Sequence, residues 1–170
     1  MSASDANVEV ASRFDVIARQ FCAVVDSALS MDRAELLARI YPILPKLIDE
    51  AIGLPDVALS ESATVHVNVS RKEQEERGRR YNLLKEKLGD WDLYHQVFDP
   101  TEDNEAIFGT LADDIADIYS DLKEGLALNE MPSIPPEDVI WGWRLSFYSH
   151  WGKHAMDALL TIHFRLQNTP

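Results

Sequence analysis

Apolar residues recur at three- and four-residue steps through the first part of the chain. They are Val10, Phe14, Ile17, Phe21, Val24 and Ala28. At 100° per residue these positions fall on one side of a helix. The pattern therefore predicts an amphipathic helix over about 5–29.

A second helix is predicted to begin at Asp32. Asp32 and Glu35 have the spacing of a capping box, in which two side chains satisfy backbone donors at the start of a helix. Pro42 and Pro45 lie farther along the same apolar pattern. Because each proline removes a backbone donor and crowds the preceding turn, we expect a break or kink near Tyr41.

Residues 54–69 show no helical period. Their valines at 65, 67 and 69 alternate with polar residues, a strand-like pattern that is too short and isolated to define a sheet. We interpret 54–69 as an extended, mobile connector. Ser70 and Glu73 form another capping box, which predicts a third helix to about Leu88. Gly89 ends that helix, and a short helical turn is expected over about 91–98.

The fourth helix has the most regular apolar stripe and is predicted from near Asn104 to near Leu128. Pro136 and the two acidic residues after it then begin a last helix, which we expect to reach Leu166, about 30 residues on. Short loops between long amphipathic helices imply antiparallel neighbours. Residues 1–170 are therefore predicted to form a single all-α domain, a bundle of about five main helices with a long C-terminal helix.

Composition and charge narrow the classes of function. The 170 residues are 46% hydrophobic and carry a formal net charge of −13, which argues against nucleic acid and anionic membranes as partners. Cys22 is the only cysteine, so no intrachain disulfide forms. We see no signal-peptide pattern and no run near the ~18 apolar residues of a membrane span. We predict a cytoplasmic protein.

The last helix contains the most informative constellation. On a helical wheel, Trp143, His150, His154 and Asp157 share one line, and Phe147 lies beside it. Histidines four residues apart can direct two imidazoles at one divalent cation, and a nearby carboxylate can bind the ion or orient an imidazole. The alternative is that this line is the solvated side of the helix.

The fourth helix carries a run of carboxylates. On the wheel, Asp113 and Asp117 lie opposite the apolar stripe, whereas Asp114 and Asp121 lie at its boundary. Such a run is typical of a solvated acidic face. Alternatively, the boundary carboxylates reach a cation site between helices. Residues 71–87 form a basic island of net charge about +3 that either pairs with the protein's own acids or binds phosphate.

Two segments resemble a known family. They are 111–125, with the sequence LADDIADIYSDLKEG, and 143–154, with the sequence WRLSFYSHWGKH. Both are similar to the bacterial family called domain of unknown function 5063. The resemblance spans about 10–166 and implies a small helical protein without an assigned activity.

A second resemblance concerns the all-helical nucleoside triphosphate pyrophosphohydrolases, which hold Mg²⁺ through E-x-x-E on one helix and E-x-x-D on a later one. Glu73 and Glu76 have the first spacing, and Asp114 and Asp117 are similar to the second. Asp stands at 114 where that family has Glu, and the gap between the pairs is longer than usual. The resemblance implies a Mg²⁺-dependent nucleotide pyrophosphohydrolase-like enzyme as the alternative function.

We therefore expect a cytoplasmic all-α binding or interaction module, in one of two forms. In the first, a protein partner or a second copy of the chain docks on the surface that bears Trp143, Phe147, His150, His154 and Asp157, with the aromatic residues as anchors. In the second, the same helix holds a divalent metal. The expected ligands are His150, His154 and Asp157, with Asp114 or Asp121 from the fourth helix.

Overall fold

Seven α-helices and a two-stranded antiparallel sheet make up the described part of the chain. The computed structural model describes residues 3–60, 71–103 and 105–167, without the side chains of 3–6 and 71–73. The helices are α1 (Ala3–Asp26), α2 (Arg33–Ile40), α3 (Leu44–Ile52), α4 (Arg71–Leu88), α5 (Leu111–Asn129), α6 (Pro136–Ser146) and α7 (Gly152–Gln167). The strands are β1 (Leu93–Gln96) and β2 (Ile107–Thr110). The predicted helical bundle with a long C-terminal helix is confirmed.

The predicted break near Tyr41 is present. Helix α2 ends at Ile40 and α3 begins at Leu44, because the proline at 42 cannot donate to the turn before it. At the other end of α2, the Asp32 carboxylate accepts a hydrogen bond from the Glu35 amide at 2.8 Å, as the capping-box spacing predicts.

Helix α5 begins later than predicted. We expected it from near Asn104, a position outside the described residues, but 107–110 form strand β2 and the helix starts at Leu111. The helical turn predicted over 91–98 is also wrong. A 3₁₀ turn ends at Trp91, and strand β1 occupies Leu93–Gln96. Two four-residue strands give no periodic pattern long enough to recognise.

The hairpin is fastened to the start of α5. Asp92 accepts hydrogen bonds from the Leu111 amide through its carbonyl (2.9 Å) and from the Ala112 amide through its carboxylate (2.8 Å). In the hairpin, Tyr94 lies opposite Gly109. A Cβ at Gly109 would lie 2.7 Å from the Tyr94 ring, so this strand position has room for glycine alone. The Tyr94 ring is thereby held beside the first turn of α5.

Helix α5 is the centre of the bundle. It packs against α1, α4, α6 and α7, and its buried residues include two carboxylates, Asp114 and Asp117, at 3% and 5% exposure. The interpretation of Asp117 as a solvent-facing residue is therefore wrong. A helical wheel assumes one buried side, whereas α5 has neighbours on several sides.

The last helix changes phase in its middle. A π-helical turn, Phe147–Trp151, separates α6 from α7, and its carbonyl at Phe147 lies 2.4 Å from the place where a Cβ of Gly152 would stand. A π-turn holds more residues than an α-turn, so positions after it rotate relative to those before it. The shared line predicted for Trp143 and His150 does not survive this rotation.

The aromatic residues of the last helix belong to the core. Trp143 and Phe147 are 1% and 3% exposed, and Trp151 is fully buried. Phe14 of α1 lies 4.8 Å from the Trp143 ring and 6.2 Å from the Trp151 ring, measured between centroids. The expectation that Trp143 and Phe147 anchor a partner on the surface is corrected: both rings are already in contact with this chain's own core.

Half of the predicted connector is described. Residues 54–60 have no regular secondary structure, and Ser60 donates to the Asp138 carboxylate from its amide (2.7 Å) and its hydroxyl (2.6 Å). Residues 61–69 lie outside the described part of the chain, so the expected mobility stays a prediction. Among the described helices, none has the length and apolar character needed to cross a membrane.

Candidate metal centre

Three side chains from two helices converge beside the middle of α5. Asp117 Oδ2 lies 3.9 Å from His150 Nε2 and 3.6 Å from His154 Nε2. One ligand atom from each of the three residues lies within 4.8 Å of the others. The two imidazoles are one helical turn apart, with ring centroids 5.1 Å from each other. A buried carboxylate oxygen thus faces two imidazole nitrogens.

The opposite edge of each imidazole is held by another carboxylate of α5. His150 Nδ1 lies 2.8 Å from Asp121 Oδ2, and His154 Nδ1 lies 2.8 Å from Asp114 Oδ1. Because a carboxylate accepts hydrogen bonds, each Nδ1 carries the proton and donates it. In the neutral ring this leaves Nε2 with a free lone pair directed at Asp117. Metal-binding histidines in proteins are oriented in the same way.

The distances suit one small ion. Two ligands about 2.1 Å from a zinc ion, at the tetrahedral angle, are roughly 3.4 Å apart. The observed separations of 3.6 and 3.9 Å exceed that value by a few tenths of an ångström. All three ligand atoms lie within 4.8 Å of one another, so binding would draw the two imidazoles and the carboxylate closer together.

Helix α4 contributes a cation to the same cluster. The Arg77 guanidinium binds Asp117 Oδ1 through Nε and Asp113 Oδ1 through Nη2, the latter at 3.0 Å. Arg77 therefore occupies one oxygen of Asp117 and leaves Oδ2 to the imidazoles. This contact also shows the basic island pairing with the protein's own acids at Arg77. Arg80 does the same with Asp26, at 3.3 Å.

Tyr94 completes the hydrogen-bond chain from the hairpin side. Its hydroxyl donates to Asp114 Oδ2 at 2.6 Å, so both oxygens of this buried carboxylate have a partner. Burial raises the pKa of Asp114, and the hydrogen bonds from His154 and Tyr94 act in the opposite direction. Burial, together with the charge of Asp114, also raises the pKa of Tyr94. The hydroxyl is thus a donor at neutral pH.

Both histidines are biased towards protonation when no metal is bound. The hydrogen bond to Asp121 raises the pKa of His150, and the hydrogen bond to Asp114 raises that of His154. The charge of Asp117 adds to both effects. The cluster therefore attracts positive charge, which a proton or a metal ion can supply.

The predicted ligands divide into three groups in the structure. His150 and His154 come together as expected, and Asp114 and Asp121 reach their Nδ1 edges rather than the shared point near Nε2. Asp157 is elsewhere: its carboxylate pairs with Lys153, four residues before it. The structure therefore replaces Asp157 with Asp117 in the group that could share an ion.

The leading hypothesis did not include three members of the cluster. It placed Asp117 on the outer side of the helix, although the pyrophosphohydrolase resemblance used Asp117 as a Mg²⁺ ligand. It gave Arg77 only the general ion pairing of the basic island, and it gave Tyr94 no role. One signal was available for Asp117: it shares three- and four-residue steps with Asp114 and Asp121, which places the three carboxylates on one line of α5. The contribution of Tyr94 depends on the hairpin, which the sequence pattern does not reveal.

The pyrophosphohydrolase-like pattern is not assembled among the described side chains. Glu76 lies 4.0 Å from Arg79 on the exposed surface of α4, and the group able to share an ion does not include it. The side chain of Glu73 is outside the described residues. Asp114 and Asp117 instead contact Tyr94, the histidines and Arg77.

Comparisons with known proteins identify a family and a similar fold, and neither carries an assigned activity. A search of curated proteins finds no match. The crystal structure of protein BF1032 from Bacteroides fragilis, a structural genomics target, is similar with a TM-score of 0.76 and 22% sequence identity. The alignment covers 93% of this chain and 92% of that one. The model of the family described as domain of unknown function (DUF5063) matches residues 6–167, nearly the whole chain. The protein therefore belongs to this family.

Proposed function

We propose that this protein is a binding module that holds one divalent transition-metal ion through Asp117, His150 and His154. The observation that supports the proposal is the shared direction of two imidazole Nε2 atoms and one carboxylate oxygen, with each Nδ1 held by a further carboxylate. Hydrogen bonds alone would not require both rings to point at the same oxygen.

The donor atoms favour a particular class of ion. Two imidazoles and one carboxylate suit Zn²⁺ and other first-row transition metals, whereas Mg²⁺ and Ca²⁺ prefer an all-oxygen set. Three protein ligands leave a fourth position on a tetrahedral ion. Because the His150 side chain is 48% exposed, that position would open towards solvent and accept water or a ligand atom.

Charge supports a dication at this place. Asp114, Asp117 and Asp121 face the two imidazoles. The Arg77 guanidinium pairs with Asp117 and with the neighbouring carboxylate of Asp113. With both rings neutral, the carboxylates outnumber this cation. A divalent ion offsets the excess, and the buried carboxylates then interact with it in an environment of low dielectric constant.

The test is a titration of metal-free protein with Zn²⁺, followed by calorimetry, with Mn²⁺ and Mg²⁺ for comparison. We expect one Zn²⁺ per chain and weaker binding of Mg²⁺. Asp117→Asn, His150→Asn and His154→Asn should each lower Zn²⁺ affinity by more than about 100-fold, above the range typical of outer-shell partners. His163→Asn is the matched control, since His163 lies on the same helix and binds Tyr41 at 2.7 Å.

Two results would contradict the proposal. One is the absence of stoichiometric Zn²⁺ binding by folded wild-type protein. The other is equal Zn²⁺ affinity in wild type and His154→Asn, with circular dichroism showing both folded. The proposal also keeps the cytoplasm as the protein's location, which cell fractionation tests independently of the metal.

A further inference from the structure

A second feature lies on the other side of the C-terminal helix, by which we mean the continuous stretch of α6, the π-turn and α7. An open groove of about 760 Å³ runs between that helix and the hairpin, with Ile52 of α3 at its border. Its walls are largely apolar and include Phe98, Tyr148, Met156 and Leu160. These four side chains are between 49% and 67% exposed. Large apolar side chains concentrated around one concave surface are typical of binding sites.

The groove is elongated. On its helical wall, Tyr148 and Leu160 are 12 positions apart, or roughly 18 Å at 1.5 Å per residue. That length corresponds to about three turns of a helix lying alongside. Amphipathic helices that dock in grooves use apolar anchors spaced over two to three turns. The length therefore matches a helix better than a compact small molecule.

The loop that forms one border of the groove is acidic in sequence. Val97, Phe98, Pro100 and Ala106 line the groove, and the loop that contains them carries Asp99, Glu102, Asp103 and Glu105. From 89 to 122 the sequence has no lysine or arginine. Within the groove, Lys153 is already bound to Asp157 and to Gln96, the latter at 2.8 Å. A ligand lying in the groove therefore meets apolar walls, and one of its borders belongs to a loop of net negative charge.

We infer that this groove binds an amphipathic helix of a partner protein, with apolar anchors on one side and lysine or arginine residues flanking them. A second copy of this chain is a poor match because the whole molecule carries −13. Its most basic helix, α4, already buries Leu84 and Leu88 in the core, so it lacks anchors to insert. The inference stands independently of the metal.

The experiment uses three fluorescently labelled 18-residue peptides with the full-length protein. The first is an amphipathic Leu/Lys helix, the second has Glu in place of every Lys, and the third is a scrambled Leu/Lys sequence without an apolar side. We expect fluorescence anisotropy to show binding of the first peptide at least tenfold tighter than of the other two. Affinity should fall as NaCl rises, because exposed charges are screened.

Variants place the peptide in the groove. Leu160→Asp should weaken binding of the Leu/Lys peptide at least tenfold, while Val16→Asp, at an equally exposed apolar position on α1 (54%, against 59% for Leu160), should not. Asp103→Lys combined with Glu105→Lys should weaken it as well and reduce its dependence on salt. Asp117→Asn should leave peptide binding unchanged, which separates this test from that of the metal site.

Three outcomes would overturn the inference. Equal affinity for the Leu/Lys and Leu/Glu peptides would show that charge has no part in recognition. Unchanged binding in Leu160→Asp would place the peptide elsewhere. Self-association of the wild type that is lost in Leu160→Asp would identify a second copy as the occupant.

Discussion

On the side facing α5, the C-terminal helix presents His150 and His154 to carboxylates, and on the side facing the hairpin it presents Tyr148, Met156 and Leu160 to solvent. The first side is polar, and each ring has hydrogen-bonded and charged neighbours within the chain. The second is apolar and its large side chains remain half exposed. One helix thus carries a polar site held by hydrogen bonds within the chain and an apolar surface that remains exposed to solvent.

The difference teaches how to separate the two functions experimentally. Groups on the α5 side are held by hydrogen bonds to carboxylates of α5, so their substitution changes the site and lowers stability. Groups on the groove side have little of their area buried, so they can be replaced at small cost to stability. The variants below range from one that disturbs both sides to one that is confined to the groove.

The largest effect is expected from Trp151→Ala, since this indole lies between the two sides and is fully buried. Removing it leaves a cavity beside Phe14 and Phe147, and we expect a loss of about 3–5 kcal/mol in the free energy of unfolding. Tyr148→Ala, at 60% exposure, should change it by less than about 0.5 kcal/mol. Urea unfolding measures both, and equal losses would contradict the placement of these rings.

Tyr94→Phe should affect the polar side from a distance. It removes the hydroxyl that donates to Asp114, the carboxylate that orients His154. Loss of such an outer partner lowers metal affinity by about 10- to 100-fold. Calorimetry with Zn²⁺ measures the change, and Tyr81→Phe on α4 is the control. Wild-type affinity in Tyr94→Phe would show that the hydrogen bond has no role in orienting His154.

The stability of metal-free protein and its affinity for Zn²⁺ should change in opposite directions as pH rises. The pKa values of His150 and His154 are raised by the hydrogen bonds that they donate to Asp121 and Asp114 and by the charge of Asp117, and the Arg77 charge lowers that of His150. The stabilisation from these protonated rings is complete below their unfolded pKa and is lost as pH rises through the folded one. Metal-free protein should therefore lose stability as pH rises above about 6.5, the ordinary pKa of histidine.

Zinc affinity should rise over the same interval, because the metal requires deprotonated Nε2 atoms. Urea unfolding in the presence of a chelator and Zn²⁺ titration at each pH measure the two trends. The double variant His150→Asn, His154→Asn should flatten the first. The assigned proton positions would be contradicted if the stability of metal-free wild type rose with pH above about 6.5 while that of the double variant did not.

A small effect, confined to the groove side, is expected from Asp157→Asn. This carboxylate pairs with Lys153 on the groove side, and both side chains are partly exposed. Loss of the pair should cost about 0.2–1 kcal/mol and leave Zn²⁺ affinity unchanged. A large decrease in Zn²⁺ affinity would restore Asp157 to the ligand set in place of Asp117.

The sequence was sufficient for the bundle because its helices are long and periodic. The stripe from Phe14 to Phe21 and the prolines that separate α2 from α3 are local signals, and local signals survive in the folded chain. The hairpin was missed because four residues per strand give no reliable period. Its stability comes instead from Asp92, which binds the start of α5.

The site was predictable only in part. The pair His150 and His154 is visible as a four-residue spacing, which depends on one helical turn. Asp117 and Arg77 depend on how α4 and α5 pack, and a wheel drawn for one helix does not contain that information. Trp143 was misplaced for a further reason: the wheel assumed a constant 100° through residues that form a π-turn.

The π-turn at 147–151 also sets the register of everything that follows it. If these five residues wound as an α-helix at unchanged length, α7 would be rotated relative to α6 by about 100°, the angle of one residue. His154 would then leave Asp114, and Leu160 would leave the groove, in a single step. The wider turn thus absorbs one residue while aligning two separate surfaces, so a family member with one residue fewer there and an ordinary α-turn is expected to retain both.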